Sequence, residues 1–353
     1  MKRESDQIVL ICNPSAGGRW KQLAGILDSA EARQVRRIVT DSIEDIGPAL
    51  SSISQRVKLV CIYGGDGTIQ KIISETFRTL GEGNPPIALV GGGTMNVTAT
   101  WCGWDESPGK NFSHVVRDYL TDKLLTREVP LLEIRQGSRI EYGFTYGGGS
   151  VIRILDAYEQ GTKGKLPALQ IAVKSVLASW TKRWPEFQHV LGQMEGEIIV
   201  DGEPLPYNRF SAMFCNITGH VVRLVHPFTH DRSRETFYFM AYTPTPSELA
   251  VLLPLLCGGF IPIDPKVMTK PVSTWTQMVL AYIGKGSLPL DPRYINRTAR
   301  EVEVRSAERV FTIDGEIFQS SGEPVKVRLG PTLRLAVSPR ATAWPLIGSL
   351  LKR

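Results

Sequence analysis

Long hydrophobic runs are scarce in this chain. The longest, Leu249 to Ile263, is broken by Pro254, Gly258, Gly259 and Pro262 and falls short of the roughly 18 residues that suggest a membrane span. The amino end, MKRESDQIVLIC, puts a short apolar run behind a charged tip, too short for a secretory signal and suited to a buried strand. Cysteine is sparse too: there are five, an odd number, with no two at metal-binding spacing. Cys12 and Cys61 lie inside apolar strand-like runs, where cysteine acts as a small hydrophobe. This usage fits a reducing, cytoplasmic compartment. His189, His220, His226 and His230 pair with no cysteine at zinc spacing. No arginine-rich run or aromatic-basic motif is present, so nothing points to nucleic acid. Internal repeats and low-complexity segments are likewise missing.

What remains is a 353-residue chain with 42% apolar and 22% charged residues, the composition of a soluble globular protein. Its length predicts two domains. The net charge of +6 is uneven: residues 1–126 hold 14 basic and 14 acidic residues, so the excess lies beyond them. A mild basic bias could favour an anionic membrane surface, although an ordinary solvated surface explains it equally well.

The pattern up to residue 126 alternates strand and helix. Apolar runs at 8–12, 35–40, 57–63 and 85–91 read as strands, with helices over 19–32, after Thr40-Asp41-Ser42 as capping residues, and from GGDGT to Leu80. Continuous apolar strands separated by helices predict a parallel sheet covered on both faces. From 127 to 337 the runs REVPLLEIRQG, RIEYGFTYGG, GEIIVDGEPLPY, RFSAMFCNI, ETFYFMAY, AREVEVRS, RVFTIDGEIF and VKVRLG read as antiparallel strands. Helical stretches are expected over 151–184 and 246–256. The expectation is thus an α/β domain followed by a β-rich antiparallel domain with inserted helices, the segment 338–353 returning to the first.

Three glycine-rich turns end strands of the first domain: Asn13-Pro14-Ser15-Ala16-Gly17-Gly18, Gly64-Gly65-Asp66-Gly67-Thr68, and Gly91-Gly92-Gly93-Thr94-Met95-Asn96. Ligands of open parallel sheets bind beyond the carboxyl ends of the strands. Glycines let the backbone approach a phosphate, and the following helix adds its positive end. No turn is a Walker A loop and none has G-x-G-x-x-G spacing, so the reading is a phosphate or nucleotide site of another type. Asp66 could equally cap the helix that follows.

In this order and at these separations, NPSAGG, GGDGT and GGGTMN resemble the diacylglycerol kinase catalytic-domain family. It includes YegS-type, sphingosine and ceramide lipid kinases and is distantly related to NAD kinases. GGGSVIRILDAYEQGTKGKLPALQIAVKSVLASW is similar to the family's turn and helices opening the second domain, and TIDGE to its late catalytic motif. The resemblance implies an NAD kinase/diacylglycerol kinase-like fold and a lipid kinase using ATP and Mg2+. Gly64, Gly65, Asp66, Gly67 and Thr68 would then line the nucleotide phosphates. Asn13, Gly17, Gly93, Thr94 and Asn96 would complete the pocket, with Thr40 nearby. Asp314 would be the general base, with Glu316 beside it. Asp314-Gly315 also fits a plain hairpin, as does Asp201-Gly202; only its late position selects Asp314. A lipid substrate, peripheral contact with the inner membrane face and a homodimer are compatible with this reading.

Two departures are visible. Val97 stands where the family often has a second polar residue, which leaves a catalytically impaired nucleotide- or lipid-binding relative as the alternative. After CNITGH many bacterial members carry an Asp-Gly-x-Leu-Asp segment contributing to a structural magnesium site; VVRLVHPFTHDRSRETFYF lacks that Asp-Gly. An NAD kinase-like enzyme is the second alternative, without a positive signal for a dinucleotide pocket. Leu169, Val173, Val176, Leu177, Trp180 and Trp184 fall on one helical face, which either lines the lipid path or packs on the core. AWPLIGSLLKR is a similar apolar-basic segment.

Overall fold

A computed structural model of the chain describes residues 7–14, 19–29, 32–42, 44–53, 56–81, 83–93, 96–150, 152–153, 192–220, 227–245, 248–249 and 290–339. Of the expected helices over 151–184 and 246–256 only 152–153 and 248–249 are described, both helical; the aromatic face from Leu169 to Trp184 and the tail AWPLIGSLLKR lie outside the described residues. So do Gly17 and Thr94. The chain divides into two units, Met1–Leu131 with Gly330–Arg353, and Leu132–Leu329.

The first unit holds strands β1 (Ile8–Cys12), β2 (Val35–Val39), β3 (Leu59–Gly64) and β4 (Ile87–Gly91) in the order β2-β1-β3-β4, all parallel. β1, β3 and β4 are buried along their whole length, as strands covered on both faces must be. β2 is the edge, and its Val39 is 55% exposed. Helices α1 (Trp20–Ala24), α2 (Ile46–Ser51), α3 (Asp66–Leu80), α4 (Val97–Trp101) and α5 (Pro108–Leu120) follow in chain order. Ile69, Ile72, Ile73 and Phe77 form the buried stripe of α3, each worth about 1.5–3 kcal/mol when fully removed from water. Gly81 ends α3 at φ +65° while its N–H bonds to the Phe77 carbonyl, a left-handed stop that suits glycine.

Two expectations need correcting here. The helix over 19–32 stops at Ala24, because the next amides of Ile26 and Leu27 bond three residues back, to Leu23 and Ala24. Thr40-Asp41-Ser42 does not cap α2. Asp45 occupies the N-cap, and its carboxylate accepts the amides of Asp41 and Ser42 at 3.0 and 2.9 Å, so the side chain holds the preceding turn instead.

The second unit is β-rich. Its chain enters through β5 (Leu125–Gln136) and runs through β6 (Arg139–Gly143), β7 (Thr145–Gly149), β8 (Met194–Val200), β9 (Glu203–Pro204), β10 (Arg209–Phe210), β11 (Ala212–Asn216), β12 (Phe237–Tyr242), β13 (Tyr294–Ala299), β14 (Glu301–Ser306), β15 (Val310–Ile313) and β16 (Glu316–Gln319), leaving through β17 (Val325–Val337). One antiparallel sheet has the order β13-β12-β11-β7-β15-β16. A second set pairs β8 with β9, β10 and β14, and β14 with β17. At its far end β17 returns to the first unit and pairs with β4 in parallel, Leu335 against Ile87.

RIEYGFTYGG is not one strand but two: β6 pairs with β5, whereas β7 pairs with β11 and β15 in the other sheet. The same change of sheet occurs at Arg300, between β13 and β14. Gly147–Gly149, which opens the stretch likened to the family's turn, lies in β7. A Cβ at Gly147 would stand 3.0 Å from Thr312 Cγ2, and one at Gly149 only 2.9 Å from the Ser211 carbonyl oxygen. Among the described residues no helix is long and apolar enough to cross a membrane.

Candidate functional site

In the first unit the ends of β3 and β4 bring their glycine turns together, with Asn13 at the end of β1 beside them. Asn13 N–H donates to the Tyr63 carbonyl at 3.3 Å, and Gly92 N–H to the Gly64 carbonyl at 2.7 Å. These bonds tie the ends of β1 to β3 and of β4 to β3. A Cβ at Gly93 would lie 2.9 Å from Gly65 Cα, one at Gly92 2.7 Å from the Tyr63 ring, and one at Gly64 2.6 Å from Thr68 Cβ. Gly93 is therefore required by the approach of one turn to the other, and Gly64 and Gly92 by the packing of Thr68 and Tyr63, whatever ligand they serve. This close approach is the cradle that sequence spacing alone did not define.

Gly65 is the N-cap of α3 and no side chain caps that helix. Asp66 is the first helical residue rather than the cap, so the capping alternative does not hold. Uncapped amides at the start of a 15-residue helix form an anion-binding end. Asn96 adopts φ +48° at the start of α4. Its side chain folds over Gly91, where a Cβ would meet Asn96 Cγ at 2.7 Å. Asn96 Oδ1 is buried with no hydrogen-bond partner among the described residues, so a polar group of this side chain remains available to a ligand. Thr40 is 1% exposed; its amide and hydroxyl both donate to the Cys12 carbonyl, at 2.9 and 3.5 Å. It closes the sheet edge beside Asn13. Trp20 packs on Tyr63 with ring centroids 5.6 Å apart, and burial pushes the Tyr63 phenol above its ordinary pKa.

Asp314 and Glu316 belong to the second unit. Asp314-Gly315 forms the hairpin between β15 and β16, with φ +50° and +89°, the left-handed pair of a type I′ turn. The Asp314 carboxylate points back across the sheet. Its Oδ1 accepts Thr145 N–H at 2.8 Å and Phe144 N–H at 3.0 Å, and its Oδ2 also accepts Phe144 N–H at 3.0 Å. These are the amides at the corner where the chain changes sheets between β6 and β7. Gly143 makes room: a Cβ there would stand 2.8 Å from Asp314 Oδ2 and 2.5 Å from Ile313 Cγ2. Glu316 is exposed at the start of β16.

Asp201 repeats this device. Asp201-Gly202 has φ +54° and +88°, and Asp201 Oδ1 accepts Arg300 N–H at 2.8 Å and Glu301 N–H at 3.0 Å, at the second sheet-changing corner. The structure thus gives both Asp-Gly pairs a backbone-clamping role. Asp314 differs in its neighbours. Asn216, fully buried, donates to Thr145 Oγ1 at 2.8 Å and to the His220 carbonyl at 3.0 Å, while its Oδ1 accepts Gly219 N–H at 2.6 Å. Gly143, Phe144, Thr145 and Asn216 escaped sequence reasoning. The first three lie inside RIEYGFTYGG and Asn216 inside RFSAMFCNI, each read as one strand, which gave no sign of the corner.

Residues 7–125 match the family model described as the diacylglycerol kinase catalytic domain. No curated protein sequence matches the chain. Among solved structures it resembles a protein from Bacillus anthracis str. Sterne assigned as a diacylglycerol kinase, at 16% identity and a TM-score of 0.62, covering 95% of this chain and 98% of that one. A diacylglycerol kinase structure from the same organism is similar at 14% identity and a TM-score of 0.56, again over 95% and 98% of the two chains. At these identities the likeness is one of fold, an α/β domain joined to a β-rich one. The match over residues 7–125 spans all three glycine turns.

Proposed function

We propose that this protein is an ATP-dependent kinase that transfers the γ-phosphate to the hydroxyl of a lipid. One observation carries the reading: the turns after β3 and β4 meet at one sheet edge, with Gly93 against Gly65, beside the uncapped start of α3 and next to Asn13 at the end of β1. Such an edge suits a polyphosphate. The amides of Gly65 to Thr68 and the side-chain amide of Asn96 would hold its oxygens. Asp66 is the carboxylate of that turn, a hard oxygen donor of the kind magnesium takes. ATP with its magnesium would supply the phosphoryl group and neutralise charge on it.

Asp314 is the proposed proton acceptor. A carboxylate of ordinary pKa, about 4, cannot deprotonate an alcohol beforehand. It can orient the hydroxyl and take the proton late, when phosphoryl transfer has acidified it. Backbone clamping serves that role, because a carboxylate fixed by Phe144 and Thr145 has little freedom to turn away.

The test is purified protein with ATP, magnesium and a panel of diacylglycerol, sphingoid and ceramide lipids, with NAD as a separate acceptor. A phosphorylated lipid is expected. Nucleotide binding without transfer to any lipid would instead mark a non-catalytic relative, the outcome Val97 at the start of α4 allows for. Phosphorylation of NAD alone would replace the lipid reading.

A further inference from the structure

The segment joining β11 to β12 is where the resemblance raised a structural magnesium; among its described residues no group of three His, Cys, Asp or Glu side chains is placed to hold a metal ion. The Arg232 guanidinium sits among backbone carbonyls of this segment. Its Nε donates to Ile217 at 3.0 Å, and its Nη1 to Ser233 at 3.3 Å and Thr236 at 3.4 Å. Carbonyl oxygens of this kind are ligands for a hard cation; here they already face one that is covalently part of the chain. Burial disfavours the charge of Arg232 and lowers its pKa, and the three acceptors offset that cost.

The contact continues to the proposed catalytic corner. Ile217, whose carbonyl takes Arg232 Nε, donates its own N–H to the Phe144 carbonyl at 2.9 Å. Phe144 N–H in turn donates to the Asp314 carboxylate at 3.0 Å. Three hydrogen bonds in series therefore run from Arg232 to Asp314. The segment's other end is tied as well, since Ser233 N–H donates to Thr236 Oγ1 at 3.0 Å.

We propose that the Arg232 guanidinium is the cation that holds the described ends of the β11–β12 connection, Ile217 and Ser233–Thr236, and, through Ile217 and Phe144, positions the corner that holds Asp314. The catalytic half of this statement rests on the lipid-kinase reading; the positioning half does not.

Amide hydrogen exchange at single-residue resolution, on nucleotide-free protein, is the test. Arg232→Ala should speed exchange at Phe144 and Thr145 about tenfold and leave Arg300 and Glu301, held by the twin clamp at Asp201, unchanged. Arg232→Lys should fall between, because an ammonium cannot span three carbonyls; this variant carries the test if the alanine form does not fold. EDTA should change neither pair in the wild type. Unchanged exchange in both variants overturns the proposal. So does a uniform rise at both clamps, and so does acceleration of the wild type by EDTA, which would put a metal in the guanidinium's role. With activity in hand, Arg232→Lys should lower kcat about tenfold at an unchanged KM for ATP; an unchanged kcat with accelerated exchange removes the catalytic half. A wild type that transfers no phosphoryl group refutes the kinase reading, while exchange still decides the positioning.

Discussion

Replacing Asp314 by asparagine separates its clamping from its proposed chemistry, because Asp201 supplies a matched control. With its carbonyl in the place of Oδ1, an asparagine at 314 still accepts the amides of Thr145 and Phe144, which reach that atom at 2.8 and 3.0 Å. What is lost is the charge, together with the second branch of the Phe144 N–H bond, the one to Oδ2 at 3.0 Å. Hydrogen bonds to charged groups contribute about 1.5–3 kcal/mol and neutral ones about 0.5–1.5, so the cost is about 1 kcal/mol. In Asp201→Asn the amides of Arg300 and Glu301 are retained in the same way. The added loss is the ion pair with Arg297 at 3.2 Å, whose side chains are 42% and 33% exposed, worth about 0–1 kcal/mol. Both variants should therefore melt about 2–6 °C below the wild type. Transfer of labelled phosphate from ATP to lipid in mixed micelles should part them. Asp201→Asn should keep near-normal kcat, whereas Asp314→Asn should lose about 100-fold or more, the span of general-base contributions, with ATP binding intact. Equal activity in the two variants would refute the reasoning and leave Asp314 as a clamp alone.

Gly93→Ala should weaken ATP binding at least about tenfold by calorimetry, since its Cβ would stand 2.9 Å from Gly65 Cα and backbone cannot yield cheaply; unaltered affinity would dissociate the cradle from the nucleotide. Gly143→Ala should reduce kcat more than it alters ATP affinity, because its Cβ would press on Asp314 Oδ2 at 2.8 Å; a variant with normal turnover would contradict that. Burial pushes the thiols of Cys12 up to about 11 and of Cys61 and Cys102 up to about 12. All three should resist iodoacetamide at pH 8 and react once the protein is unfolded, as mass spectrometry would read. Their raised pKa values have a second consequence, since the unfolded chain releases these protons from about pH 8.5. The stability they contribute is complete below that pH and is lost as pH rises toward 11–12, which chemical denaturation at pH 7 and pH 10 would measure.

Periodicity made the first unit legible. Strands buried on both faces must be apolar throughout, and 8–12, 59–63 and 87–91 were; the edge strand β2 alternates because one face is wet. The glycine turns were equally plain, since only glycine lets Gly93 approach Gly65. Less was visible in the second unit. The break at Phe144 leaves no mark on hydrophobic pattern, because YGFT continues the run on either side, and the carboxylate that takes the amide at this corner lies 170 residues away. The strand Tyr294–Ala299 was missed for a similar reason: RYINRTA carries arginine and asparagine on a run whose burial comes from β12 beside it.

The sequence by itself determined the α/β order, the sheet edge that bears three phosphate-type turns and the two Asp-Gly hairpins. Each of these follows from local chemistry: burial period, glycine sterics, left-handed turn residues. Only the tertiary structure decided what the hairpin aspartates hold, that Gly143 must be a glycine, and that Arg232 lies three hydrogen bonds from Asp314. Those are contacts between residues far apart in the chain, set by how sheets cross and not by any neighbour in sequence.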